Sequence, residues 1–133
     1  MELLSTIVDY ALPFLFVLTV LVFFHELGHY LVARLNGVRI EVFSVGFGPE
    51  LFGRTDQAGT RWKFSMIPLG GYVKMFGENT TPDKVSQASL SDADQNVAFN
   101  TKTVSQRAAI VFAGPAANFL LAIVIFALLF VFV

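Results

Sequence analysis

The sequence predicts a membrane protein, mainly α, in which two transmembrane helices are joined by a cytoplasmic loop carrying a small β-hairpin or sheet. Three observations carry this reading. Apolar residues make up 55% of the 133 residues, and they gather at the two ends of the chain. Uncharged runs occupy residues 11–24 and 108–133, as expected of helices that cross a bilayer. The stretch between them is mixed, and in places it alternates apolar with charged residues in the manner of half-buried strands.

Residues 1–10 are short and faintly acidic, with Glu2 and Asp9 as the only charged side chains. The lack of a basic segment there argues against a cleaved signal peptide. The first span is placed at residues 11–35, its helix starting near Leu12. Pro13 then falls in the first turn, where its missing N–H costs little. At 1.5 Å per residue this helix is long enough to cross a hydrocarbon core of about 30 Å. Asn36-Gly37 is a helix stop.

All nine Lys and Arg lie between Arg34 and Arg107. Basic residues collect on the cytoplasmic side of a membrane, and those nearest the helix ends count most: Arg34, Arg39, Lys102 and Arg107. The expected topology has the N-terminus outside, the central loop inside and the C-terminus outside.

Within the loop, residues 36–78 form the expected β region. Val38-Arg39-Ile40-Glu41-Val42 and Arg61-Trp62-Lys63-Phe64-Ser65-Met66 alternate, with Trp62, Phe64 and Met66 on one face. Gly46-Phe47-Gly48-Pro49 between them is rich in turn formers. Ile67-Pro68-Leu69-Gly70-Gly71-Tyr72-Val73-Lys74-Met75 reads as a further short strand. Such a sheet either caps the first helix or offers an edge to an extended peptide, and the two are compatible. Residues 79–106 are polar and weakly patterned, a mobile segment or a surface helix with solvated charges at Asp83, Asp92 and Asp94 and at the adjoining Glu78. The second span is 107–133. Its start is rich in small residues, which let helices approach closely in lipid. Gly114 and Pro115 suit a packed, kinked entrance. Asn118 needs a partner, across the helices or in a polar cavity. The chain stops inside this apolar run, as a fragment would.

The chemistry concentrates in Phe24-His25-Glu26-Leu27-Gly28-His29-Tyr30. On a helix, residues four apart share a face, so His25 and His29, the only two histidines, can hold one metal ion. Glu26 stands one step round and can address a water on that metal. This His-Glu-x-x-His spacing is the zinc metalloprotease arrangement of two ligands and a general base. Ionisable groups at membrane depth are costly and mark function. No cysteine is present, which excludes disulfides and thiolate zinc sites. A net charge of −1 gives no reason to expect a nucleic-acid partner. A soluble zinc protease is excluded because both apolar ends would face water.

Taken in order, the segments resemble the N-terminal part of a site-2 protease, an intramembrane zinc metalloprotease, of the bacterial regulator-of-sigma-E branch. The resemblance rests on His25-Glu26-Leu27-Gly28-His29, on Gly46-Phe47-Gly48-Pro49 with Phe52-Gly53, and on Ile67-Pro68-Leu69-Gly70-Gly71-Tyr72-Val73-Lys74-Met75 with Gly77-Glu78. It rests also on Gln106-Arg107 leading into Ala113-Gly114-Pro115-Ala116-Ala117-Asn118-Phe119. It implies that Zn2+ is the cofactor, that His25 and His29 are its ligands and that Glu26 is the catalytic base. It implies a membrane-associated hairpin that presents the substrate as a strand. Gly70, Gly71, Gly114 and Asn118 become candidates for substrate binding or packing beside the site. Lipid surrounds the helices, and the implied substrate is a transmembrane protein, an anti-sigma factor or a signal-peptide remnant. The family's third zinc ligand is an Asp on a later helix, and its PDZ region also comes later. Neither lies in these 133 residues, so the chain alone is expected to be inactive. The competing reading is a catalytically incomplete membrane scaffold or adaptor.

Overall fold

The computed structural model describes residues 1–77 and 97–133. The expectations for Glu78, Asp83, Asp92, Asp94 and most of the polar segment lie outside the described residues. The elements in order are helix α1 (Glu2–Leu35), strands β1 (Ile40–Thr55) and β2 (Arg61–Met75), a 3-10 turn at Phe99–Thr101 and helix α2 (Val104–Phe132). The fold is two long apolar helices with a two-stranded antiparallel sheet between them in sequence.

Helix α1 begins at Glu2, about ten residues before the expected start. Nothing in residues 2–12 breaks a helix, and Ser5 and Thr6 donate their hydroxyls to the Glu2 carbonyl at 2.9 Å. Pro13 therefore lies inside the helix, where it withholds one N–H from the ladder. The 34 residues make a rod about 51 Å long, well over the ~30 Å of a bilayer core. Its end is fixed by backbone geometry. Gly37 takes φ 76°, Val38 N–H donates to the Ala33 carbonyl at 2.9 Å, and Gly37 N–H donates to that of Arg34 at 3.1 Å. These two bonds satisfy carbonyls that the last turn would leave orphaned. Helix α2 starts at Val104, three residues early, because Thr103 and Gln106 cap each other. Gln106 N–H donates to Thr103 Oγ1 at 3.2 Å, and Thr103 N–H donates to Gln106 Oε1 at 3.1 Å.

The sheet corrects the expectation of several short strands. β1 and β2 are each long, but both change partners part-way. Phe43 faces Val73 on one side and Trp62 on the other, while beyond the bend Phe52, Gly53 and Arg54 face Phe64, Lys63 and Trp62. The ribbon is thus folded over at Gly46–Pro49 and at Met66–Gly70, and those stretches do turn, although inside strands. Gly46 has φ 92°, and a Cβ there would meet the Ser65 and Ile67 carbonyl oxygens at 2.9 Å. Only glycine fits that bend. The fold-over shifts the register, and a shift exchanges the faces of a strand. Trp62 and Phe64 pack inward as expected, but Ser65 is buried at 0% exposure and Met66 is 57% exposed. Ser65 is accommodated by its hydroxyl, which lies 3.2 Å from Ser44 Oγ. Ser44 in turn donates to the Gly46 carbonyl at 2.9 Å.

The hairpin turn at residues 56–60 is held by one carboxylate. Asp56 Oδ1 accepts from Ala58 N–H at 2.9 Å and Thr60 N–H at 3.0 Å, and Oδ2 accepts from Trp62 Nε1–H at 2.8 Å. The Trp62 bond first, then the backbone bonds, hold the Asp56 pKa below the usual carboxylate value. Nearby, Arg61 grips both oxygens of Glu50 at 2.9 Å, which lowers the Glu50 pKa and raises that of Arg61.

The core lies where the last third of α1, the sheet and the start of α2 meet. Phe43, 1% exposed, stacks on Trp62 at 4.4 Å between centroids, and Tyr30 meets both rings edge-on. Ile40, Val38, Ala33, Val73, Met75 and Ile110 complete it. Burial of that set fixes the sheet against the histidine-bearing end of α1, at roughly 1.5–3 kcal/mol per large apolar side chain.

Candidate metal and catalytic site

Residues 25–29 lie in the last third of α1, with His25, Gly28 and His29 turned to α2. Close approach of the two helices rests on missing side chains. A Cβ on Gly28 would meet Ala117 Cβ at 2.8 Å and overlap the Ala113 carbonyl oxygen. Glycine inside a helix costs about 1 kcal/mol relative to alanine, so its presence signals a packing need. The same holds on the facing helix. A Cβ on Gly114 would overlap His29 Nε2 and meet His25 Cε1 at 2.8 Å, so Gly114 is the floor beneath both imidazoles.

The rings are set for a shared ligand. They stand nearly perpendicular, at 83°, with Nε2 of His25 and Nε2 of His29 3.1 Å apart. Two nitrogens bound tetrahedrally to one zinc at 2.0–2.1 Å would be about 3.3 Å apart, so the observed spacing fits one ion between them. His29 Nδ1 lies 2.7 Å from the Ile110 carbonyl oxygen. A carbonyl can only accept, so the proton is on Nδ1 and the Nε2 lone pair points away, available to a metal. Histidine ligands to zinc are commonly oriented by such an outer partner. The residues present therefore fit zinc as two of its ligands. Among the described residues no three His, Cys, Asp or Glu side chains come together as a complete set. The loop acids are engaged elsewhere: Glu41 pairs with Lys74 at 3.5 Å and Glu50 with Arg61.

Space is available on two sides of the pair. Glu26 and His29 line a cavity of about 220 Å³ with Gly71, Tyr72, Val73, Met75, Phe99, Ile110 and Val111. His25 and Asn118 line a second, of about 370 Å³, with Pro115, Phe119 and Ala122. Asn118 Oδ1 is buried and has no hydrogen-bond partner among the described residues. Phe99 reaches the first cavity because residues 97–99 are tied back to the sheet. Arg39 N–H donates to the Val97 carbonyl at 2.9 Å, and Phe99 N–H to that of Phe76 at 2.7 Å. Pro115 has no N–H to offer the Val111 carbonyl four residues back, so the α2 ladder lacks a bond at the cavity wall.

The model of peptidase family M50 matches residues 13–133, nearly the whole chain. The chain belongs to peptidase family M50. Among its relatives, a protein of Brucella suis provisionally named zinc metalloprotease is 57% identical over 129 residues, covering 95% of this chain and 34% of the relative. A provisionally named zinc metalloprotease of Rhizobium meliloti is 56% identical over 134 residues, covering 98% of this chain and 36% of the relative. The regulator of sigma-E protease RseP of Salmonella typhimurium is 49% identical over 118 residues, covering 89% and 25%. The chain thus spans about a third of the length of the first of these relatives.

In this M50 chain the structure brings His25, Glu26, His29, Gly114, Asn118 and Gly71 around one locus. Gly71 packs close to α1, since a Cβ there would meet Val22 Cγ1 at 2.8 Å and the Ser44 carbonyl oxygen at 2.5 Å. Gly70 is not brought in; it sits against the Phe47 ring. Two contributors were missed by sequence reasoning. Gly28 carried a signal, a glycine inside an otherwise good helix. The Ile110 carbonyl carried none, because a backbone atom has no signature in sequence.

Proposed function

We propose that this chain is the N-terminal portion of a zinc-dependent intramembrane endopeptidase. The observation that carries the reading is the convergence of His25 and His29 Nε2 at 3.1 Å, with His29 held by Ile110 and Glu26 on the adjoining cavity. His25 and His29 would hold the ion, with a third ligand from outside these 133 residues. When bound, zinc would supply Lewis acidity at that point. The Glu26 carboxylate would accept a proton from the attacking water and return it to the leaving amine. Substrate lies extended along the row Gly71-Tyr72-Val73, whose residues pair with Val45, Ser44 and Phe43 of β1 and also line the catalytic cavity.

Both helices are long and apolar enough to cross a membrane, and their far halves expose Leu, Ile, Val and Phe. Embedding in the inner membrane covers those faces. The basic residues at the inner ends of the two helices support a topology with the sheet on the cytoplasmic side and residue 1 outside. The substrate is a transmembrane protein, and an anti-sigma factor and a signal-peptide remnant are the classes to assay. The test is metal removal from the full-length protein. Chelation should abolish cleavage of such a substrate, and zinc should restore it. Cleavage that survives complete zinc removal contradicts the proposal, and a zinc-loaded protein that cuts nothing favours the scaffold reading.

A further inference from the structure

Resting on that proposed activity, we infer that the cavity beside Glu26 and His29 is a selectivity pocket that takes one apolar substrate side chain next to the scissile bond. Its position makes the argument first. Two of its walls are the proposed base and a proposed metal-ligating imidazole, so a side chain that enters it adjoins the proposed catalytic groups. Its size makes the second. About 220 Å³ falls below the roughly 300–1,000 Å³ of pockets that hold a whole small ligand, and it suits a single side chain. Its lining makes the third. Apart from Glu26 and His29, the lining is Gly71, Tyr72, Val73, Met75, Phe99, Ile110 and Val111, with no charged group among them and apolar side chains at five of the seven. Val73, Met75 and Ile110 are 9%, 8% and 1% exposed, so these walls are packed from behind and cannot simply yield to a larger guest.

An extended peptide lying along Gly71-Tyr72-Val73 projects alternate side chains to opposite faces. One of the two residues flanking the cut therefore points into this cavity and the other points away. Selectivity is expected at one flanking position only, for aliphatic side chains of middle size. Discrimination by an apolar pocket runs at 10–200-fold per methylene-sized misfit.

The experiment uses the full-length protein in proteoliposomes and a transmembrane substrate it cuts. Each flanking residue is varied in turn through Ala, Leu, Trp and Asp, and kcat/KM is measured for each. In the wild type, one position should prefer Leu over both Trp and Asp by about tenfold or more, and the other should be nearly flat. Two variants move the preference in opposite directions. Val111→Phe narrows the cavity and should shift the optimum from Leu toward Ala, while Met75→Ala enlarges it and should admit Trp. The readout is a ratio between substrates, so a general loss of activity in a variant does not imitate the result. A flat profile at both positions in the wild type, or unchanged ratios in both variants, overturns the pocket. Failure of the wild type to cut any substrate instead overturns the proposed activity on which the pocket rests.

Discussion

His29 donates from Nδ1 to the backbone carbonyl of Ile110 across 2.7 Å, joining the helix that carries the histidines to the one that faces them. The bond fixes the tautomer of one candidate ligand, and because Ile110 is fully buried it also fixes the ring's place. The separation of α1 and α2 is therefore a parameter of the proposed metal site, and small residues occupy the crossing.

Gly114→Ala should damage the site directly. The new methyl falls on His29 Nε2 and His25 Cε1, and the backbone behind it is helical and cannot yield cheaply. Zinc content of the purified full-length variant should fall at least tenfold at limiting metal, with cleavage falling in step. Ala116→Val, on an exposed position two residues on, should change neither. Normal zinc binding by Gly114→Ala would show that the rings are not where this account puts them.

Gly28→Ala tests the crossing without touching a ligand. Its methyl meets Ala117 Cβ and the Ala113 backbone, an overpacking that typically costs 1–3 kcal/mol. Thermal unfolding in detergent should show a lower midpoint, and paired Ala117→Gly should recover part of it. An unshifted midpoint would mean that the helices do not meet at Gly28.

The hairpin turn should respond to acid. The Asp56 pKa is lowered in the fold, so its contribution to stability is fully present above the ordinary carboxylate value of 3.8 and is lost as pH falls through the lowered value. Trp62 is the only tryptophan and donates to Asp56, so its fluorescence reports the event. The wild-type signal should hold steady down to pH 4 and change below it. Asp56→Ala should start from the altered signal and lack that step; superimposable profiles would rule out the carboxylate as the anchor.

Orientation is tested by labelling single cysteines, which is clean in a chain that has none. Ala58→Cys, on the exposed hairpin turn, should react only when reagent reaches the cytoplasm. Ser5→Cys should react from outside. The reverse pattern would put the site at the opposite face.

Sequence alone exposed the features written in side chains. The apolar runs, the four-residue histidine spacing and the Asn36-Gly37 stop each have a local physical cause, and each appears in the structure. The loop was harder. Gly46-Phe47-Gly48-Pro49 has the composition of a turn between two strands but lies inside β1, where the ribbon folds over, and the two cases look the same in sequence. The choice depends on long-range pairing, such as Phe43 with both Trp62 and Val73. That fold-over also explains Met66, which alternation placed inside and the register shift turned outward. The early start of α2 was legible in Thr103-x-x-Gln106, whereas the part played by Ile110 was not, since it acts through its backbone.

The most direct test of the central claim is Glu26→Gln in the full-length protein, assayed at once for zinc and for cleavage. The amide keeps the shape of the side chain and leaves His25 and His29 in place, but it cannot accept a proton from water. The account predicts zinc near one per chain together with loss of cleavage by a factor of at least 100, whereas His25→Ala or His29→Ala should lose both. A Glu26→Gln protein that binds zinc and cuts at the normal rate would contradict the account.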